Sequence, residues 1–266
     1  MSFLKKEGAV SKKSFLFVAN WKMVMTVEQT MQYVRDNISA MTTLAESTGN
    51  QIILCPSFPL IGAVHYLSTE TPIKLGAQTC SSFSSGAYTG EVSAVTLAEF
   101  GCQYCIVGHS ERRHYCHETD EDIARKVRSC LLAGITPILC IGEIRDLANI
   151  SDTEVILGQQ LSLLRDYLVD IGPNGAQTLL VAYEPVWAVG TGRMPEPGYL
   201  HEVYDRLERI GESSIPKGFT VRYLYGGSLN EKNLGSITNI GPIDGFLVGG
   251  SSLDFQKFKN MISLCV

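Results

Sequence analysis

No apolar run in this sequence approaches the roughly 20 residues needed to cross a bilayer, so no membrane partner is expected. Basic charge is also short: 22 Lys and Arg stand against 27 Asp and Glu, a net charge of -5. No basic stripe offsets that balance, so no nucleic-acid partner is expected, although a locally positive site for a small anion remains open. Standard catalytic signatures are missing too. There is no G-x-x-x-x-G-K-[ST] phosphate loop, no G-x-S-x-G serine elbow and no H-E-x-x-H zinc helix. The glycines near Gly190 do not make a dinucleotide fingerprint, because Pro195 interrupts the pattern.

The 8 cysteines lack framework spacing and lie mostly in apolar runs, which fits free thiols in a reducing, cytoplasmic setting. Cys102 and Cys105 do form one C-x-x-C, with His109, His114, Cys116 and His117 close behind. A zinc or redox reading therefore stands beside that of buried structural thiols. No second C-x-x-C accompanies the pair, and strand alternation would send the two thiols to opposite faces. Structural thiols are favoured, and neither a metal nor a cofactor is expected. Residues 1–14 carry Lys5, Lys6, Lys12 and Lys13 without a long apolar core or any Arg, and read as a loose lead-in rather than a targeting signal.

What the sequence does have is alternation. Short apolar runs at 15–19, 52–55, 73–77, 104–107, 136–141, 179–183, 221–225 and 245–248 are each followed by a loop and then a helical stretch. Helical patterning is clearest at 26–44, 118–133 and 198–210. In 118–133, Ile123, Val127 and Leu131 share a face, Arg125, Lys126 and Arg128 fall elsewhere, and Gly134 is a plausible cap. Runs too apolar to alternate imply a parallel sheet covered on both faces. Eight of them in 266 residues point to a closed (β/α)8 barrel, a single α/β domain over 15–266.

In such a barrel, functional residues lie just past the C-terminal ends of the strands. The run at 179–183 ends in a single carboxylate, Glu184, with Pro185 blocking further ladder pairing and an apolar loop closed by Gly190-Thr191-Gly192 beyond it. This reads either as a base awaiting exclusion of water or as an exposed strand-end acid. The first run is followed by Asn20, Trp21 and Lys22, where a solvated lysine is the simpler reading taken alone. The fourth ends Gly108-His109-Ser110-Glu111, placing an imidazole at a helix start whose dipole disfavours imidazolium. The last two end in Gly226-Gly227-Ser228 and Gly249-Gly250-Ser251, and paired glycines at strand-to-helix junctions suit an anion nest.

Taken together, Ala19-Asn20-Trp21-Lys22-Met23, Gly86-Ala87-Tyr88-Thr89-Gly90-Glu91, Gly108 to Arg113, Cys140 to Glu143, Tyr183 to Gly192, Tyr225 to Ser228 and Gly245 to Gly250 resemble the triosephosphate isomerase family over nearly the whole chain. The resemblance implies interconversion of dihydroxyacetone phosphate and glyceraldehyde 3-phosphate without a cofactor. It implies Glu184 as the base, His109 as a neutral electrophile, Lys22 as the stabilising cation and Asn20 as a donor to substrate oxygen. Backbone N–H groups of Gly190, Ser228, Gly249 and Gly250 would grip phosphate. Ser110 and Glu111 would support the His109 loop and Lys22, and Glu143 and Tyr183 would hold Trp187 of a lid. The loop from Gln78 to Ala94 would dock on a second copy, making a homodimer with Thr89 near the interface.

Two departures from the family pattern stand out. Arg193-Met194-Pro195 follows the lid glycines, and Pro195 has no N–H to offer the hydroxyl of Tyr225. A stiffer hinge and a less favoured closed lid are expected from it. Val24 replaces a residue that is often Asn or Gly. Other phosphate-binding barrels would need different residues at the first, fourth and sixth strand ends. A catalytically silent barrel kept for interaction would not need Asn20, Lys22, His109 and Glu184 intact.

Overall fold

The computed structural model describes residues 13–145, 149–171 and 177–265. Most of the expected lead-in, residues 1–12, lies outside them; Lys13 itself donates to the Gly241 carbonyl at 2.7 Å. Eight parallel strands close in sequence order into a barrel: β1 Leu16–Asn20, β2 Gln51–Cys55, β3 Lys74–Ala77, β4 Tyr104–Val107, β5 Thr136–Ile141, β6 Gln177–Tyr183, β7 Phe219–Tyr225 and β8 Ile243–Val248. Closure is made by β1 against β8, with Phe17 opposite Phe246. The helices are α1 Val27–Thr48, α2 Ile61–Ser68, α3 Ala94–Glu99, α4 Ser110–Tyr115, α5 Asp120–Leu132, α6 Ile150–Leu161, α7 Leu164–Leu168, α8 Pro197–Ser214 and α9 Phe255–Ser263.

The unbroken apolar runs have a direct cause. Leu16, Val18, Ile53, Ile106, Ile138 and Leu180 fill the barrel's interior. Their chain neighbours Phe17, Ile52, Val107, Leu139 and Val181 face the helical layer. Both strand faces are buried, so both must be apolar. β6, β7 and β8 begin two residues before the apolar runs do, because ladder bonds reach into the partly exposed Gln177, Phe219 and Asp244 region at the barrel's base.

Helix ends follow local chemistry. Thr26 and Gln29 form a reciprocal capping box at the start of α1, and Gly49 closes its other end at φ 73°. Thr119 and Asp122 do the same for α5, and Gly134 follows that helix at φ 73°. Ile123, Val127 and Leu131 are buried as the pattern requires. Lys126 departs from its expected place on the polar face. It is only 6% exposed, because its ammonium reaches inward to Glu118 and to Thr79 Oγ1 at 3.3 Å. An ion of this kind stays buried only when paired and hydrogen-bonded.

Candidate active site

The strand ends on one rim of the barrel converge on a cavity of about 190 Å³. Asn20, Lys22, His109, Glu184, Gly190, Ser228, Gly249 and Gly250 all line it. These are the catalytic and phosphate-gripping residues expected from the sequence. Ser110, Glu111, Glu143, Trp187 and Tyr225 stand outside that lining, and the first four bond to residues of the site or its lid.

Glu184 follows β6 directly, its N–H held by the Ile141 carbonyl at 2.8 Å. Pro185 ends the ladder, and the Val186 N–H turns to the Glu143 carbonyl at 3.0 Å. The carboxylate is 2% exposed, so it is not the solvated strand-end acid of the simpler reading. Burying such a charge is costly unless donors meet it. Here Oε2 accepts the Ser110 N–H at 3.1 Å and Oε1 faces His109 Nε2 at 3.2 Å. Space for Glu184 depends on two glycines. A Cβ at Gly142 would come within 1.8 Å of the Glu184 carbonyl oxygen, and one at Gly226 within 2.9 Å of its Cγ.

His109 precedes α4 and is 6% exposed. Its Nδ1 accepts the Glu111 N–H at 3.2 Å. A nitrogen that accepts carries no proton, so the ring is neutral and its single N–H is on Nε2, the atom directed at Glu184. The imidazole is thereby a hydrogen-bond donor to the cavity without being a cation.

Lys22 sits at φ 50°, a left-handed conformation that non-glycine residues seldom adopt. Three contacts hold it there. Its N–H goes to Asn20 Oδ1 at 3.1 Å, its carbonyl accepts from Gln78 Nε2 at 2.8 Å, and its ammonium pairs with Glu111 Oε1 at 2.6 Å. Strain of about 1–3 kcal/mol held at a cavity mark is a common sign of function. Because Asn20 Oδ1 is occupied, the amide's NH2 is the end left to donate. Gln78 is a site residue the sequence reading missed, and its only signal was a polar side chain immediately after β3. A second such brace is Arg113, which donates to the Gly108 carbonyl at 2.8 Å and the Cys140 carbonyl at 3.2 Å, tying the His109 loop to β5.

Next to Glu184, the ends of β7 and then β8 offer backbone donors. Ser228 is braced through its carbonyl by Asn233 Nδ2 at 2.9 Å, and Ser251 Oγ donates to the Leu229 carbonyl at 2.6 Å. Gly250 opens a single turn of 3-10 helix, Gly250–Leu253, whose first N–H groups have no intrahelical partner. Gly249 lies against Lys22, so cation and nest are adjacent. Beyond Glu184, Trp187 sits on the 3-10 turn Val186–Ala188 and donates its Nε1–H to Glu143 Oε1 at 2.8 Å, an oxygen that also accepts from Tyr183 at 2.9 Å. Gly190 and Gly192 then take φ 72° and 75°, and the Gly192 N–H meets Ser228 Oγ at 3.2 Å. The Tyr225 hydroxyl is buried with no hydrogen-bond partner among the described residues.

The family model described as triosephosphate isomerase matches residues 15–265. The triosephosphate isomerase of Thermus thermophilus is 37% identical over 254 residues, covering 94% of this chain and 98% of the relative. That of Endomicrobium trichonymphae is 38% identical over 251 residues, covering 93% and 97%. That of Azoarcus sp. is 41% identical over 213 residues, covering 80% and 85%. With barrel, rim and matched length all agreeing, the chain belongs to the triosephosphate isomerase family.

Proposed function

We propose that the chain carries out the reaction its family is named for, interconverting dihydroxyacetone phosphate and D-glyceraldehyde 3-phosphate, with Glu184 moving the proton between adjacent carbons. The single observation that carries this reading is the 3.2 Å contact between a buried carboxylate and the protonated nitrogen of a neutral imidazole in one small cavity. A proton next to a carbonyl leaves only if the enediolate it produces is stabilised where its charge develops. His109 Nε2–H donates to the carbonyl oxygen, Asn20 Nδ2 and the Lys22 ammonium attend the oxygens, and Glu184 returns the proton to the neighbouring carbon. The backbone N–H groups of Gly190, Ser228, Gly249 and Gly250 hold the phosphate, fixing the carbons against the base. The loop bearing Trp187 excludes water, which protects an intermediate prone to lose phosphate.

The homodimer belongs to the same reading. A second cavity of about 470 Å³ opens beside the first, lined in part by Met23, Phe58, His109, Glu111 and Tyr115. Met23 is 93% exposed and Tyr115 74%, an apolar rim unusual on a lone protomer. The loop 78–94, exposed over 83–91 and stiffened by Phe83 and Tyr88 rings stacked at 3.8 Å, is the self-complementary projection that would fill it. A cytoplasmic location is likewise proposed, from the free thiols.

A coupled isomerase assay on the wild type and Glu184→Asp tests the catalytic assignment. Shortening the base by one methylene is expected to lower kcat by at least about 100-fold while inhibition by inorganic phosphate hardly changes. Equal loss of phosphate affinity would show that Glu184 serves binding, not proton transfer.

A further inference from the structure

The fold brings together three thiols that sequence spacing keeps 25 residues apart. Cys80 follows β3, Cys105 lies within β4 and Cys130 within α5, all buried between sheet and helices. Their sulfurs all lie within 4.8 Å of one another, and Cys80 and Cys130 are 3.5 Å apart. Cys102, the other half of the C-x-x-C, is not among them. Sulfurs bound to one zinc ion at about 2.3 Å sit roughly 3.8 Å from each other, so shifts of no more than about 1 Å would let the cluster share an ion.

We propose that Cys80, Cys105 and Cys130 form a binding site for one soft divalent cation of the zinc class. This inference stands apart from the reaction proposed above. The chemistry of the donors selects a thiophilic ion over magnesium or calcium. The charge balance selects a divalent one. Three thiolates around a divalent ion carry a net -1, against -2 around a monovalent one, and the smaller net charge is the less costly to bury. Lys126 runs alongside the thiols, its carbonyl 4.0 Å from Cys80 Sγ. On binding, each of the three thiols gives its proton to water as its metal–sulfur bond forms, and nothing is oxidised or reduced.

The site has a structural consequence. Cys80 stands at the root of loop 78–94, where the Ser81 N–H meets the Val92 carbonyl at 2.8 Å. An ion there staples that root to β4 and α5, and so steadies the proposed dimer contact.

The test uses the full chain, reduced and freed of metal by a chelator, with Zn2+ or Cd2+ added to the native protein and, because the sulfurs are buried, also during refolding from urea. Native mass spectrometry is expected to find one ion per chain, Cd2+ to give thiolate charge-transfer absorption, and either ion to raise Tm. Cys130→Ala, which places a good helix former in α5, and Cys105→Val are each expected to weaken binding by more than the roughly 100-fold that a lost outer contact costs. Cys116→Ala removes the exposed thiol and is expected to leave binding unchanged. Equal binding by wild type and Cys130→Ala, loss of the signal in Cys116→Ala, or binding of Cu+ with neither divalent ion taken up in either protocol would overturn the proposal.

Discussion

At the scale of single residues, the account rests on which atoms carry protons. His109 is neutral because Nδ1 is committed to the Glu111 N–H, so its contribution is one donated hydrogen bond. Replacing it with Gln keeps a donor but not its position. The substitution is expected to cost about 100- to 1,000-fold in kcat with a smaller change in KM, checked by steady-state kinetics. Pro195 offers the opposite case, a bond that is missing. Pro195→Ala supplies the N–H that the family resemblance pairs with the Tyr225 hydroxyl, unpartnered here, and is expected to favour the closed lid by about 1 kcal/mol. Faster closure by relaxation measurements and less phosphate elimination to methylglyoxal are expected; no change in either would remove Pro195 from the argument. Glu184 and His109 drew notice in the sequence because they stand just past the ends of apolar runs, whereas Asn20 and Lys22 gained roles only from the family resemblance. Lys22's left-handed backbone and the bond from Gln78 were not legible there, since they depend on contacts across 56 residues.

At the scale of elements, the base depends on how closely three strand ends approach. The Glu184 backbone is flanked by Gly142 after β5 and its side chain by Gly226 after β7. Gly142→Ala is expected to force β5 and β6 apart, lowering stability by about 1–3 kcal/mol in denaturant titrations and lowering kcat as Glu184 shifts. An unchanged Tm and rate would mean the strand ends have slack that this packing denies them. Trp187, on the loop after Glu184, and Tyr183, at the end of β6, donate to one oxygen of Glu143 and so tie loop to strand. Strand positions could be read from apolar runs because both faces of each strand are buried. Helix α5 was read less completely. Its apolar face was clear, but nothing in its charge pattern showed Lys126 turning inward, because Glu118 and Thr79 reach it through the fold.

At the scale of the whole molecule, the barrel places its chemistry on one rim and an exposed apolar rim, Met23 and Tyr115, beside it. Sedimentation at micromolar concentration is expected to show a dimer. Thr89→Arg, on the exposed loop, is expected to shift it toward monomer and lower activity together. Monomers with full activity would separate the cavity's chemistry from any partner. Closure of the barrel was legible from the count of runs, whereas the meeting of distant groups on its rim was legible only through the rule that barrel sites gather at strand ends. The most direct test of the central claim is a structure with 2-phosphoglycolate bound. The account predicts its phosphate on the N–H groups of Gly190, Ser228, Gly249 and Gly250, with its carboxylate between Glu184 and His109. A phosphate seated instead in the larger cavity by Met23 and Tyr115, with Glu184 and His109 untouched, would contradict it.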